Sequence, residues 1–119
     1  MNTSILQSIK KLLGIPADYT HFDEDIIAQI NVAFAVLNEL GVGPQNGYTI
    51  SGDTETWDSF VANVTVQSMC KSFVYLKVKL AFDPPTLSSV LTSMENQLSE
   101  ITWRLNNEYE TQEVEENVV

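Results

Sequence analysis

One histidine and one cysteine in 119 residues leave little from which to build a reactive centre. Enzymes bring several titratable groups together, and His21 and Cys70 have no evident companions in the sequence. A single cysteine also excludes an internal disulfide and is compatible with a reducing compartment. Cations are scarce: six Lys and Arg stand against sixteen Asp and Glu, for a formal net charge of −10. Most of such a surface repels polyanions, so no basic nucleic-acid groove is expected. Long apolar runs are missing as well. The longest, around Ile30 to Leu37, is interrupted by Asn31 and is far too short to span a bilayer, so no membrane partner is expected. The first residues, MNTSILQSIKKLLG, carry lysines after the apolar residues and no small-residue cleavage site. They are expected to form a mature helix, not a signal peptide.

The familiar chemical motifs are absent too. There is no glycine-rich phosphate loop, no Gly-Lys-Ser/Thr and no CxxC pair. Asp53, Glu55 and Asp58 alternate as calcium-loop oxygens do. However, Asp58 stands where the sixth-position glycine is needed, and the bidentate glutamate at position twelve is missing. A loop running into a helix with acids near its start explains these residues better. His21 lies in a loop just before a helix, where a capping or surface role is expected. Cys70 falls in the middle of an apolar helical face, where a thiol acts as a small hydrophobe. Lys71, Lys77 and Lys79 form no stripe with interleaved aromatics and read as solvated. No catalytic residue, cofactor or metal ligand is therefore expected, and the chain does not read as an enzyme.

What is present is helical periodicity. The pattern predicts an all-α fold, a small bundle of four to five helices with a loop or hairpin insertion and an extended acidic C-terminal tail. In the first helix, from about Ser4 to Leu13, Ile5, Leu6, Ile9, Leu12 and Leu13 share a stripe; Thr3 or Ser4 caps it, and Gly14 with Pro16 ends it. Asp23, Glu24 and Asp25 open a second helix, where carboxylates meet unpaired amides. Ile26, Ile30, Ala33, Leu37 and Leu40 give it 4-3-4-3 spacing up to Gly41. Gly43 to Asp53 is rich in turn formers around the strand-like Tyr48, Thr49 and Ile50. Thr56 looks like the cap of a short helix through Trp57, Phe60 and Val61. Thr65 is the expected cap of a long helix to about Phe82, with Met69, Phe73, Leu76 and Leu80 on one stripe. Asp83-Pro84-Pro85 stops it. Thr86 then restarts the chain, and Leu87, Leu91, Met94, Leu98, Ile101 and Leu105 keep heptad spacing. Beyond Tyr109 the spacing is lost. The expected division is a helical domain over 1–107 and an acidic tail over 108–119.

Several residues read as partner contacts. Trp103 lies about 200° around the helix from Ile101 and so falls off the heptad seam. It is either covered by another element or free to anchor a partner. Tyr109, Val114, Val118 and Val119 punctuate the acidic tail and suit a segment that orders on a partner. The insertion offers Tyr48 and Ile50 as a further candidate patch. A small acidic regulatory or inhibitory module that masks a basic partner is the alternative the glutamate-rich end supports.

The residues SILQSIKKLLGIPADYTHFDEDIIAQINVAFAVLNELGVGP, then TWDSF, YLKVKLAFDPP and SMENQLSEITWRLN, resemble the head–tail connector (adaptor, or head-completion) proteins of long-tailed bacteriophages. The resemblance runs to about Asn107, and FDPP between two helices with a WRLN ending is its most distinctive part. It implies a small helical subunit of a ring, commonly of twelve, beneath the portal protein. Such a ring extends the DNA channel without specific DNA binding and presents a surface to the next neck or tail protein. It also implies a place at the head–tail junction of the virion, reached from the host cytoplasm during assembly, and a docking role for the C-terminal segment on the portal.

Overall fold

The computed structural model describes residues 3–117, with side chains described as far as Asn107. Five helices follow in order: α1 (Ile5–Leu13), α2 (Asp23–Glu39), α3 (Trp57–Phe60), α4 (Val64–Phe82) and α5 (Ser88–Asn117). Among the described residues the one β-type pairing is an isolated antiparallel bridge between Ser4 and Thr56. The all-α bundle expected from the sequence is thus what the chain forms.

Ser4 starts α1, its hydroxyl accepting from the Gln7 amide at 3.2 Å. Gly14 ends it at φ 80, a left-handed position that glycine occupies without a Cβ penalty. The buried face is rotated from the expected stripe. Ile5, Leu6 and Ile9 are buried, but Leu12 is 46% exposed and Lys10 is fully buried. All three donors of the Lys10 ammonium are used. They reach the carbonyls of Ala17 at 3.1 Å and Tyr19 at 2.7 Å, and the Asp23 carboxylate at 2.8 Å. One side chain thereby fixes the end of α1, the loop after it and the first turn of α2.

α2 has no side-chain cap; its three first-turn acids answer the helix dipole instead. Ile26, Ile30, Ala33, Phe34 and Leu37 face the core. Asn31, the polar break in the apolar run, holds the insertion in place. Its amide donates to the Ile50 carbonyl at 3.0 Å, and its oxygen accepts from the Ile50 amide at 2.8 Å. The insertion therefore pairs with a helix side chain and does not fold into a hairpin. Its far end pairs with the N-terminus: the Ile5 amide donates to Glu55 O at 3.0 Å and the Trp57 amide to Thr3 O at 3.3 Å. Gly43 sits at φ 93, where a Cβ would lie 2.4 Å from the Phe60 ring.

Thr56 and Ser59 form a capping box on α3, as the sequence suggests. Trp57 is fully buried, and its indole N–H donates to Ser8 Oγ at 2.9 Å. Phe34 and Phe60 pack against it with ring centroids at 6.1 and 6.4 Å, and Tyr48 packs on both of them at 5.3 Å.

α4 is the central rod and touches α1, α2 and α5. Its cap is Asn63, two residues before the expected Thr65. The Asn63 carboxamide accepts from the Val66 amide at 3.0 Å, a geometry Asn offers at least as well as Thr. Burial centres on Val66, Cys70, Phe73 and Val74, with Met69 and Leu80 at its margins. The diproline then turns the chain so that α5 returns along α4. Leu87, not Thr86, caps α5, its carbonyl accepting from the Leu91 amide at 3.0 Å. α5 continues helical to Asn117, about 45 Å in all. The acidic segment expected to be extended is therefore helical up to that residue.

The Lys10 site makes an asymmetric prediction. Asp23→Ala leaves a buried ammonium without its counter-ion and should lower unfolding free energy by roughly 3 kcal/mol in urea titrations. Lys10→Met removes the charge and should cost clearly less, because the partly exposed Asp23 can hydrate.

Candidate interaction surface

The acids that suggested a calcium loop are parted by the fold, each engaged by a different group. Asp53 accepts from the Gln7 side-chain Nε2 at 3.5 Å, Asp58 from the Gln67 side-chain Nε2 at 2.8 Å, and Glu55 from the Ser51 backbone N–H at 2.6 Å. Burial pushes the Glu55 carboxyl upward, but hydrogen bonds from Ser51 and Gly52 outweigh it and hold its pKa below the ordinary carboxylate value. Among the described residues no three His, Cys, Asp or Glu converge in a way that would hold a metal ion. No described helix is long and apolar enough to cross a membrane. His21 is exposed and lies edge-on to Phe22 at 4.8 Å. Cys70 is fully buried in the α4 face, and burial pushes its thiol up to about 12. A thiol so placed stays protonated and is a poor nucleophile.

Cations on α4 are used locally. The Lys77 ammonium lies 5.9 Å from the Phe73 ring centre, and Lys79 pairs with Asp83 at 2.7 Å.

The partner-contact candidates separate sharply. Ile50 is 3% exposed and belongs to the core, held there by Asn31. Tyr48 is half-buried; its hydroxyl meets Ser59 Oγ at 2.7 Å and its ring lies against Phe34 and Phe60. Trp103 stands 67% exposed on the side of α5 away from the seam. Tyr109 and Val114 lie on the α5 backbone, beyond the described side chains; Val118 and Val119 lie outside the described residues.

The heptad seam of α5 is only partly covered. Leu105 is buried, Leu91, Met94, Leu98 and Ile101 are half-buried, and Leu87 is 66% exposed. A groove of about 370 Å³ runs between α4 and α5, lined by Met69, Tyr75, Leu76, Ile101 and neighbours. A second pocket, of about 490 Å³, opens at the end of α1 beside Gly14, Ile15, Pro16 and Ala17. In sequence that stretch reads only as a helix stop. A signal was there: with two adjacent lysines on a short amphipathic helix, one of them neighbours the Leu6–Leu13 face, and burying it turns Leu12 outward. The arrangement suits binding by surface complementarity.

The family model for phage connector protein matches residues 5–112, and the chain belongs to that family. No curated protein and no solved structure matches it. The family is a structural one, which makes this chain a structural head–tail component of a phage virion.

Cys70 yields a direct test of the burial argument. In native buffer at neutral pH the thiol should react with a chromogenic disulfide reagent far more slowly than a free thiol does. Unfolding in urea should release full, fast reactivity.

Proposed function

We propose that the chain acts as one subunit of a ring that docks beneath the portal, extends the DNA channel and receives the next neck or tail protein. The observation that carries this is membership of the connector family across 5–112, a span that takes in the whole of α1 to α4 and most of α5. The fold is compatible with it. The core is complete within one chain, yet α5 keeps a half-covered seam and an exposed tryptophan. Those features are surplus to folding and suited to neighbours. Trp103 is the first candidate contact on described side chains. Tyr109, Val114, Val118 and Val119 extend the same proposal toward the portal, and Tyr48 extends it to the insertion. A ring of twelve, assembled in the host cytoplasm and carried into the virion neck, is the form this reading takes.

The charge bears on the channel. Transiting DNA gains no counterion release from a wall with few free cations, so an acidic ring lets it slide. The function is then geometric: hold a filled head closed and align the tail upon it.

Native mass measured alone and with a portal protein checks the assembly reading. A species of about a dozen subunits, or assembly onto the portal, is the expected result. A chain that stays monomeric and ignores portals would sink the reading. The channel argument is tested separately by titrating the assembled protein with duplex DNA at rising salt. Weak binding with a shallow salt slope is expected, and tight, salt-sensitive binding would contradict a non-sticking wall.

A further inference from the structure

Large apolar side chains remain exposed at several places among the described residues, Val32 on α2 and Val64 on α4 included. Leu12 and Tyr19 flank the end of α1, while Val90 and Trp103 lie on α5 with Leu87 just before it. Two unlike patches on one chain are what a head-to-tail contact between copies requires, and such contacts close into rings when the rotation permits. This inference rests on the ring reading and names the surfaces that would make it.

We propose that Trp103 of one subunit docks in the pocket at the end of α1 of the next subunit. Three complementary features support the pairing. The first is shape and polarity. Gly14, Ile15, Pro16 and Ala17 give the pocket an apolar lining, and the space beside Gly14 is open. An indole is a flat apolar body that gains most from such a site. The second is hydrogen bonding. Gln7 lines the same pocket, and its Oε1 is buried without a hydrogen-bond partner. The Trp103 indole brings one N–H donor, and turning the carboxamide away from its long 3.5 Å contact with Asp53 presents the acceptor to it. The third is charge. Lys11 lines the pocket, is exposed and has no ion-pair partner among the described residues. The α5 turns after Trp103 carry Glu108, Glu110 and Glu113. For a chain of net charge −10, copies meet with least repulsion where one of them presents a free cation. Neither the α4–α5 groove nor the Gly43–Phe60 pocket combines an apolar lining with an unpaired cation.

The experiment places the photo-cross-linking residue p-benzoylphenylalanine at position 103 of the full chain, alone and with portal protein, in a mixture of isotope-labelled and unlabelled copies. Irradiation should join position 103 to the segment 7–17 of a differently labelled copy, giving a ladder of covalent oligomers. In parallel, Trp103→Ala and Lys11→Glu should each raise the concentration for half-assembly by about tenfold or more while leaving the helical circular-dichroism spectrum unchanged. Rings whose cross-links fall elsewhere on the neighbour, on α5 itself or on the portal would overturn this pairing and leave the ring reading standing. Unchanged assembly of both variants would overturn it too. A chain that never assembles removes the ring reading and this inference with it.

Discussion

Trp57 joins three stretches of chain that local preferences alone would leave apart. Its indole N–H reaches Ser8 on α1, its ring packs with Phe34 of α2 and Phe60 of α3, and its backbone amide pairs with Thr3. A tryptophan buries roughly 150–250 Å², more than any other side chain can contribute. Its one polar atom must find a partner inside, and Ser8 is that partner. With Trp57 seated, the insertion lies across α2 and the N-terminus lies against the insertion. The remaining core then closes around α4.

Several polar groups taken inside are fully partnered, although Gln7 Oε1 and Glu55 Oε1 are buried without a hydrogen bond. Lys10 has three acceptors, Gln67 donates to Asp58 and the Val61 carbonyl, and Asn31 matches both backbone groups of Ile50. A satisfied buried polar group adds little net stability, but an orphaned one costs about 1–3 kcal/mol, and a charge costs more. These contacts act mainly by excluding other arrangements. The loop after α1 could pack in many ways, and only one of them completes the Lys10 coordination.

α5 is different in kind. One edge of it reaches the core through Leu105, while much of its apolar seam is half-covered and Trp103 faces outward. Polar residues inside the protein, Lys10 and Asn31 above all, secure the backbone, while the largest exposed apolar side chain among the described residues, Trp103, lies on the outside of a long helix. That distribution accords with a structural member of the phage connector family, whose work is done at contacts with other chains.

Helix number and most helix ends were legible because they depend on local chemistry: Ser4 and Thr56 as caps, Gly14 and Gly41 as stops, the diproline after Asp83. Other features were not. Which of Lys10 and Leu12 turns inward, and whether Ile50 belongs to a surface or the core, depend on neighbours distant in sequence. Trp103 shows the boundary well. Periodicity places it off the seam, but only the packed bundle decides that nothing covers it. By itself the sequence determined the helices and the acidity, because these follow from composition and nearest-neighbour spacing. The tertiary structure alone decided which side chains remain outside, because burial is set by where the other helices come to rest.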